Sequence, residues 1–283
     1  MVKKCIICNK KLNKILKYDK FNLDIGHCDK CNLYQILGED KFIKNKYESY
    51  YNNEFWHSSR SKGNFLFELK RKSINFLVHF ARKLNISPLM TISQHNLFKK
   101  FLKGKKILEV GAGHGHTLRF FKTKKMIIRA IEPDYKKTKE INKYFHKNIC
   151  SSLDVELDEV EGKYDLIYLS HVFEHFVNPL KLLEKIKKNF TKEGIIFIEV
   201  PNCENKEMLE SSLKGQLHTF HFSLESLNKL FEKANYKILL SGVYDDTYKS
   251  ILGRIFKNIF MSNNYSIHSK KNGKKLILIG KPI

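Results

Sequence analysis

The stretch Ile107-Leu108-Glu109-Val110-Gly111-Ala112-Gly113-His114-Gly115 decides how this chain is read. It is a short apolar run entering a glycine-rich turn, with a helix predicted from Thr117 to Phe121. Glycine lacks a Cβ and tolerates positive φ, so such a turn lets the backbone approach a ligand closely. The following helix start leaves N–H groups without intrahelical partners, and these face the same space.

Outward from this point, strand and helix patterns alternate. Strands are predicted at Ile107–Val110, Met126–Ile131, Asp165–Leu169, Ile195–Val200, Lys237–Ser241 and Leu276–Ile279. Helices are predicted at Tyr135–Phe145, Leu180–Asn189 and Leu224–Ala234. Alternation of this kind predicts an α/β fold with a doubly wound, largely parallel sheet. Upstream, apolar residues at helical spacing predict a helix over Phe65–Leu84, and a second is placed at Ser93–Leu102. Between them and the N-terminus lies an aromatic-rich stretch, Tyr47 to His57, with the chain's one tryptophan, Trp56.

Four of the six cysteines form two pairs, Cys5-x-x-Cys8 and Cys28-x-x-Cys31, separated by Asn9 to His27. This spacing suits tetrahedral zinc held by four thiolates, one pair from each of two turns. Four thiolates leave no open coordination position, so the metal is read as structural. A segment this short does not ordinarily fold without such help. His27 is read as a bystander, and Cys150 and Cys203 as buried or incidental. The expected organisation is a zinc-ribbon module over 1–38, an aromatic-rich helical linker or lid over 39–102, and a ligand-binding domain over 103–283.

The chain of 283 residues carries 52 Lys and Arg against 29 Asp and Glu, a formal charge of +23. A field of that sign attracts phosphates, nucleic acids and anionic membrane surfaces. The basic residues are spread along the whole length, so the charge is read first as compositional. Ile251 to Phe260 has the pattern of a basic amphipathic helix; packing on the sheet is the first reading and peripheral membrane association the second. No apolar run is long enough to span a bilayer. With no apolar leader after Met1, the expected location is cytoplasmic.

Within the α/β part, ligands are expected at the carboxyl ends of the strands. Glu132 ends the second strand, 21 residues after Gly111, where a carboxylate can accept hydrogen bonds from two ribose hydroxyls. That geometry serves NAD and other adenosine cofactors alike, and the spacing G-x-G-x-G departs from the dinucleotide fingerprint G-x-G-x-x-G. Asp134 is read as a helix N-cap. Ser152, Leu153 or Asp154 is placed at the tip of the third strand, beside an adenine. The fourth strand leads into Ser170-His171-Val172-Phe173-Glu174-His175-Phe176-Val177-Asn178-Pro179. His171-x-x-Glu174-His175 matches a zinc-protease string, which needs a sustained helix. Pro179 disfavours helix at Asn178, so a turn is expected instead.

Glu109 to Gly115, Glu132, the segment after strand four, Val200-Pro201-Asn202 and His218-x-x-His221-Phe222-Ser223 together resemble the class I S-adenosylmethionine (SAM) methyltransferases. The cysteine-paired front end followed by a tyrosine-rich segment resembles their zinc-ribbon subgroup, some of which methylate nucleotide-linked sugars. The resemblance implies a Rossmann-like doubly wound sheet, with SAM bound through Glu109, Gly111, Gly113, Gly115, Glu132, Asp154 and Ser170. It implies a small-molecule acceptor, a phosphorylated or nucleotide-linked sugar or a glycan precursor for surface polysaccharide. The alternative is an RNA or protein methyltransferase that grips its substrate with ribbon and basic surface. Removing a proton from the acceptor suits a histidine. Of His171, His175, His218 and His221, His171 is the first candidate base and His221 the second.

Overall fold

The computed structural model describes residues 4–50, 89–152, 160–244 and 273–283. The helix expected at Phe65–Leu84, the aromatic stretch from Tyr51 to His57, the amphipathic pattern of 251–260 and Asp154 lie outside the described residues.

The larger sheet has seven strands: β4 (Lys106–Val110), β5 (Ile127–Ile131), β6 (Cys150–Ser151), β7 (Tyr164–Ser170), β8 (Phe190–Pro201), β10 (Tyr236–Tyr244) and β11 (Lys275–Pro282). Their spatial order is β10-β11-β8-β7-β4-β5-β6. The contacts from β6 through β8 are parallel, and β11 runs antiparallel to both β8 and β10. The order reverses about β4, whose neighbours are β5 and β7. Such a reversal opens a crevice at the carboxyl ends of these strands. The fold is α/β, a Rossmann-like sheet, as the alternation predicts.

Helices follow where sequence signals place them. Helix α2 is Leu89–Phe98, α3 His116–Thr123, α4 Tyr135–Phe145, α5 Pro179–Ile186, α6 Lys206–Lys214 and α7 Leu224–Lys233; α1, Asp40–Tyr50, precedes them. Asp134 caps α4 by accepting from the amides of Lys136 and Lys137. Ser223 and Ser226 form a reciprocal capping box on α7. Asn178 caps α5, with Pro179 opening its first turn, where proline's missing N–H costs nothing. Helix α2 begins before the expected Ser93 and ends at Phe98. Beyond it, Phe101 and Leu102 close as a turn on the Phe98 carbonyl.

The front end forms a second sheet, β1 (Asn13–Tyr18), β2 (Leu23–Cys28) and β3 (Leu33–Ile36), all antiparallel. Its fourth strand is β9 (Phe220–His221), supplied from far along the chain, with Tyr34 opposite His221 and Gln35 opposite Phe220. The same hydrophobic core holds Cys5, Cys28 and Leu33 together with Phe220, Phe222 and Phe231. Lys233 donates to the carbonyls of Ile6 and Ile7, and Lys229 to that of Lys30, so α7 grips both cysteine turns. Asn9 and Asn32, just after the cysteine pairs, have φ of 60° and 49°, the left-handed conformation such turns require.

Candidate active site

The glycine turn sits at the tip of β4. Gly111 and Ala112 donate to the carbonyl of Ile131 at 2.8 and 3.2 Å, tying the turn to the end of β5. Gly111, Gly113 and Gly115 all have positive φ, of 73°, 56° and 69°. Their surroundings differ. A Cβ on Gly111 would stand 2.3 Å from Val172, and one on Gly115 would stand 3.0 Å from Ile141. A Cβ on Gly113 would meet nothing within 4 Å. Close packing requires glycine at Gly111 and crowds Gly115, whereas Gly113 borders open space.

Glu132 binds this turn. Its Oε2 accepts from the Gly113 amide at 2.6 Å, and its Oε1 from the Asp134 amide at 3.1 Å. Each carboxylate oxygen has two lone pairs, so both retain capacity for a further donor. Burial raises the Glu132 carboxyl above the usual range. Glu109, on β4, is 4% exposed, and burial raises it well above that range too. Its Oε2 has no hydrogen-bond partner among the described residues.

At the tip of β7 the chain turns sharply. His171 takes φ of 55°, a left-handed value uncommon for a residue with a side chain. Its amide donates to the carbonyl of Glu199 at 2.8 Å. Its Nε2 lies 3.1 Å from Glu199 Oε1, and its Nδ1 lies 3.7 Å from Glu174 Oε1. The ring remains 39% exposed, while Glu199 is fully buried. Burial pushes the imidazole down, but Glu174 and Glu199 outweigh it and raise it to about 9. Burial likewise pushes Glu199 up, and His171, Lys275 and Gln94 reverse this, leaving it at about 2. Ser170 Oγ donates to Glu199 Oε1 at 3.2 Å, and Gln94 of α2 donates to Glu199 Oε2 at 2.9 Å. Tyr168 in turn donates to Gln94. Strain at one residue backed by a buried network is characteristic of a functional position.

The other histidines are deeper. Phe173–His175 forms one 3₁₀ turn, not the sustained helix of a zinc protease. His175 Nδ1 lies 2.8 Å from the Leu217 carbonyl. Ser212 Oγ bridges His218 Nδ1 at 2.6 Å and His221 Nδ1 at 2.8 Å. His221 is 1% exposed, and burial lowers it to about 3, so it is neutral at physiological pH. The structure thus gathers His171, His175, His218 and His221 around one end of the sheet, with only His171 substantially open. Glu199, Gln94 and Lys275 were not singled out from sequence. A carboxylate inside the apolar run Ile195–Val200 was the available signal for Glu199.

These features define a Rossmann-like α/β protein with open space beside Gly113 at its switch point. A family model described as "Methyltransferase domain" matches residues 78–241, more than half of the chain, and the chain belongs to that family. It is a SAM-dependent methyltransferase. A search of curated proteins gives no match. Among solved structures, the chain is similar to a SAM-dependent methyltransferase from Archaeoglobus fulgidus, with 17% identity and a TM-score of 0.53 over 73% of this chain and 99% of that one. It is similar to another from Clostridium acetobutylicum, at 11% identity and a TM-score of 0.51, covering 74% of this chain and 99% of that one. It is also similar to the plantazolicin methyltransferase BamL, solved with a triazolic desmethylPZN analog and SAH, at 12% identity and a TM-score of 0.55, covering 85% and 96%. At these identities the likeness is one of fold. The residues at the β4 tip fit the cofactor: the glycine of this turn with open space beside it adjoins the carboxylate at the end of β5.

Proposed function

We propose that the protein transfers the methyl group of SAM to a small-molecule acceptor, a nucleotide-linked sugar or glycan precursor carrying phosphate. Gly111, Gly113 and Gly115 shape the cofactor loop, Glu132 takes the ribose hydroxyls, and Glu109, Ser170 and Asp154 complete the surround. The observation that carries this reading is the open space at Gly113 beside Glu132. An anionic acceptor is favoured by the +23 charge. His171 is the assigned base, with His221 second. His171 borders the crevice, and its neutral form is the minor one at pH 7.

Cys5, Cys8, Cys28 and Cys31 hold one structural zinc in this reading. Their Sγ atoms lie within 4.8 Å of one another, and Cys8 and Cys28 approach to 3.5 Å. Four sulfurs at tetrahedral zinc stand about 3.8 Å apart, given Zn–S bonds near 2.3 Å.

The test is binding of SAM by calorimetry and methyl transfer from labelled SAM to nucleotide-sugars, glycans, RNA and protein. Gly113→Val is expected to abolish SAM binding while the thermal transition persists. Unchanged affinity in that variant would overturn the cofactor assignment. Labelling confined to RNA or protein would move the acceptor to that class.

A further inference from the structure

Apart from the cysteines, the described residues contain a second donor set. A carboxylate oxygen of Glu174 and ring nitrogens of His175 and His218 all lie within 4.8 Å of one another. We propose that Glu174, His175 and His218 bind a divalent transition-metal ion, separate from the thiolate site.

Several independent features converge on this set. Metal–nitrogen and metal–oxygen bonds of about 2.0–2.2 Å set the donors of a tetrahedral ion about 3.4 Å apart, so atoms within 4.8 Å of one another share an ion by closing at most about 1.4 Å. Glu174 is 1% exposed, and its Oε2 has no hydrogen-bond partner among the described residues. A buried carboxylate oxygen left so is costly, and a cation is one of the few groups that satisfies it. His175 Nδ1 faces the Leu217 carbonyl at 2.8 Å, which places the proton on Nδ1 and makes Nε2 the lone-pair nitrogen. His218 Nδ1 meets Ser212 Oγ at 2.6 Å, again directing the ring's other nitrogen elsewhere. A carbonyl or hydroxyl holding the far nitrogen of a ligating histidine is the usual supporting arrangement.

The two ligand segments are also fixed against each other. The Thr219 amide and hydroxyl both donate to the Glu174 carbonyl, at 2.9 and 2.8 Å, and the hydroxyl reaches the Phe176 carbonyl at 2.8 Å. One carboxylate and two imidazoles match zinc, iron, manganese or nickel, and such a set leaves positions for water or an acceptor oxygen. His171 stays outside it, with Nε2 on Glu199. This differs from the protease string, whose two histidines would be His171 and His175. Binding of the ion does not depend on the proposed acceptor; only a role for it in methyl transfer would.

Cobalt(II) titration of the full chain, stripped with chelator and kept reduced, tests the proposal. Thiolate-bound cobalt gives intense sulfur charge-transfer absorption, whereas a carboxylate–imidazole site gives only weak visible bands. The expected result is about two ions per chain, one of each kind. His218→Gln and Glu174→Gln should each lose the weak-band ion and keep the charge-transfer band, which also reports that the front end is folded. Wild-type protein that binds cobalt only with the thiolate signature would overturn the proposal whatever the variants do. So would retention of the weak-band ion in both variants. Failure of SAM binding would leave the cobalt result unaltered, so the two readings fail separately.

Discussion

His171 and His221 differ in what the structure gives them. His171 stands at a strained strand tip, open to the crevice and clamped by Glu199. His221 is sealed and held by Ser212. His171→Asn should leave SAM affinity nearly unchanged and cut turnover by about 10² to 10⁴-fold, the range for losing a general base. Loss of activity in His221→Asn alone moves the assignment there, and full activity in both leaves catalysis to alignment of acceptor and cofactor. His95 makes a different, pH-linked prediction. Burial against Phe98 and Phe120, with Lys124 and Lys99 nearby, lowers it to about 4. Its folded value lies below the unfolded one, so the unfolded chain takes the proton first. Its contribution is present above about pH 6.5 and is lost as pH falls toward 4, at no more than about 1.4 kcal/mol per pH unit. Urea midpoints followed from pH 7 to 4 should fall less steeply in His95→Gln than in wild type, and identical profiles would refute this. At this scale the sequence revealed glycines and carboxylates whose spacing carries meaning, such as Gly113 and Glu132. It did not reveal Gln94 or Lys275, because their partnership with Glu199 exists only after α2 and β11 pack against β8.

Helix α4 has the bounds its apolar spacing and Asp134 cap predict, and β4, β5, β7 and β8 fall on their apolar runs. Strands β4, β7 and β8, buried along most of their length, read as continuous hydrophobic segments, which is why they were legible. The small antiparallel sheet was not. Asn13–Tyr18 is lysine-rich, and the two-residue β9 exists only because β3 offers it an edge. Helix α6 was missed although Asn205 caps it by accepting from Met208. Tyr18 joins these unpredicted elements: its single O–H proton is shared between the carbonyls of Ser212 and Gln216, and the His218 amide reaches the oxygen at 3.5 Å. Tyr18→Phe should therefore destabilise the chain by about 1–3 kcal/mol, the cost of leaving buried groups unpaired. Chemical denaturation with an unchanged m-value measures it, and a change within error of zero would show that water replaces the hydroxyl.

On the scale of the whole molecule, the front end and the α/β part share one core, a small sheet whose last strand, β9, comes from the α/β part, and the lysine grips of α7. The described helices include none long and apolar enough to cross a membrane. Cys28, 3% exposed, lies inside that common core beside the proposed zinc. A small module that depends on metal for its fold, but is packed this way, should not melt by itself. Cys28→Ser is expected to lower the midpoint of one cooperative transition for the entire chain. S-adenosylhomocysteine should raise that same transition, because a ligand of the folded state stabilises every part that unfolds with its site. Scanning calorimetry of both proteins, with and without this ligand, decides it. Two resolved endotherms, with the upper one indifferent to Cys28→Ser and alone responsive to the ligand, would show the ribbon to be thermodynamically separate despite its shared strand.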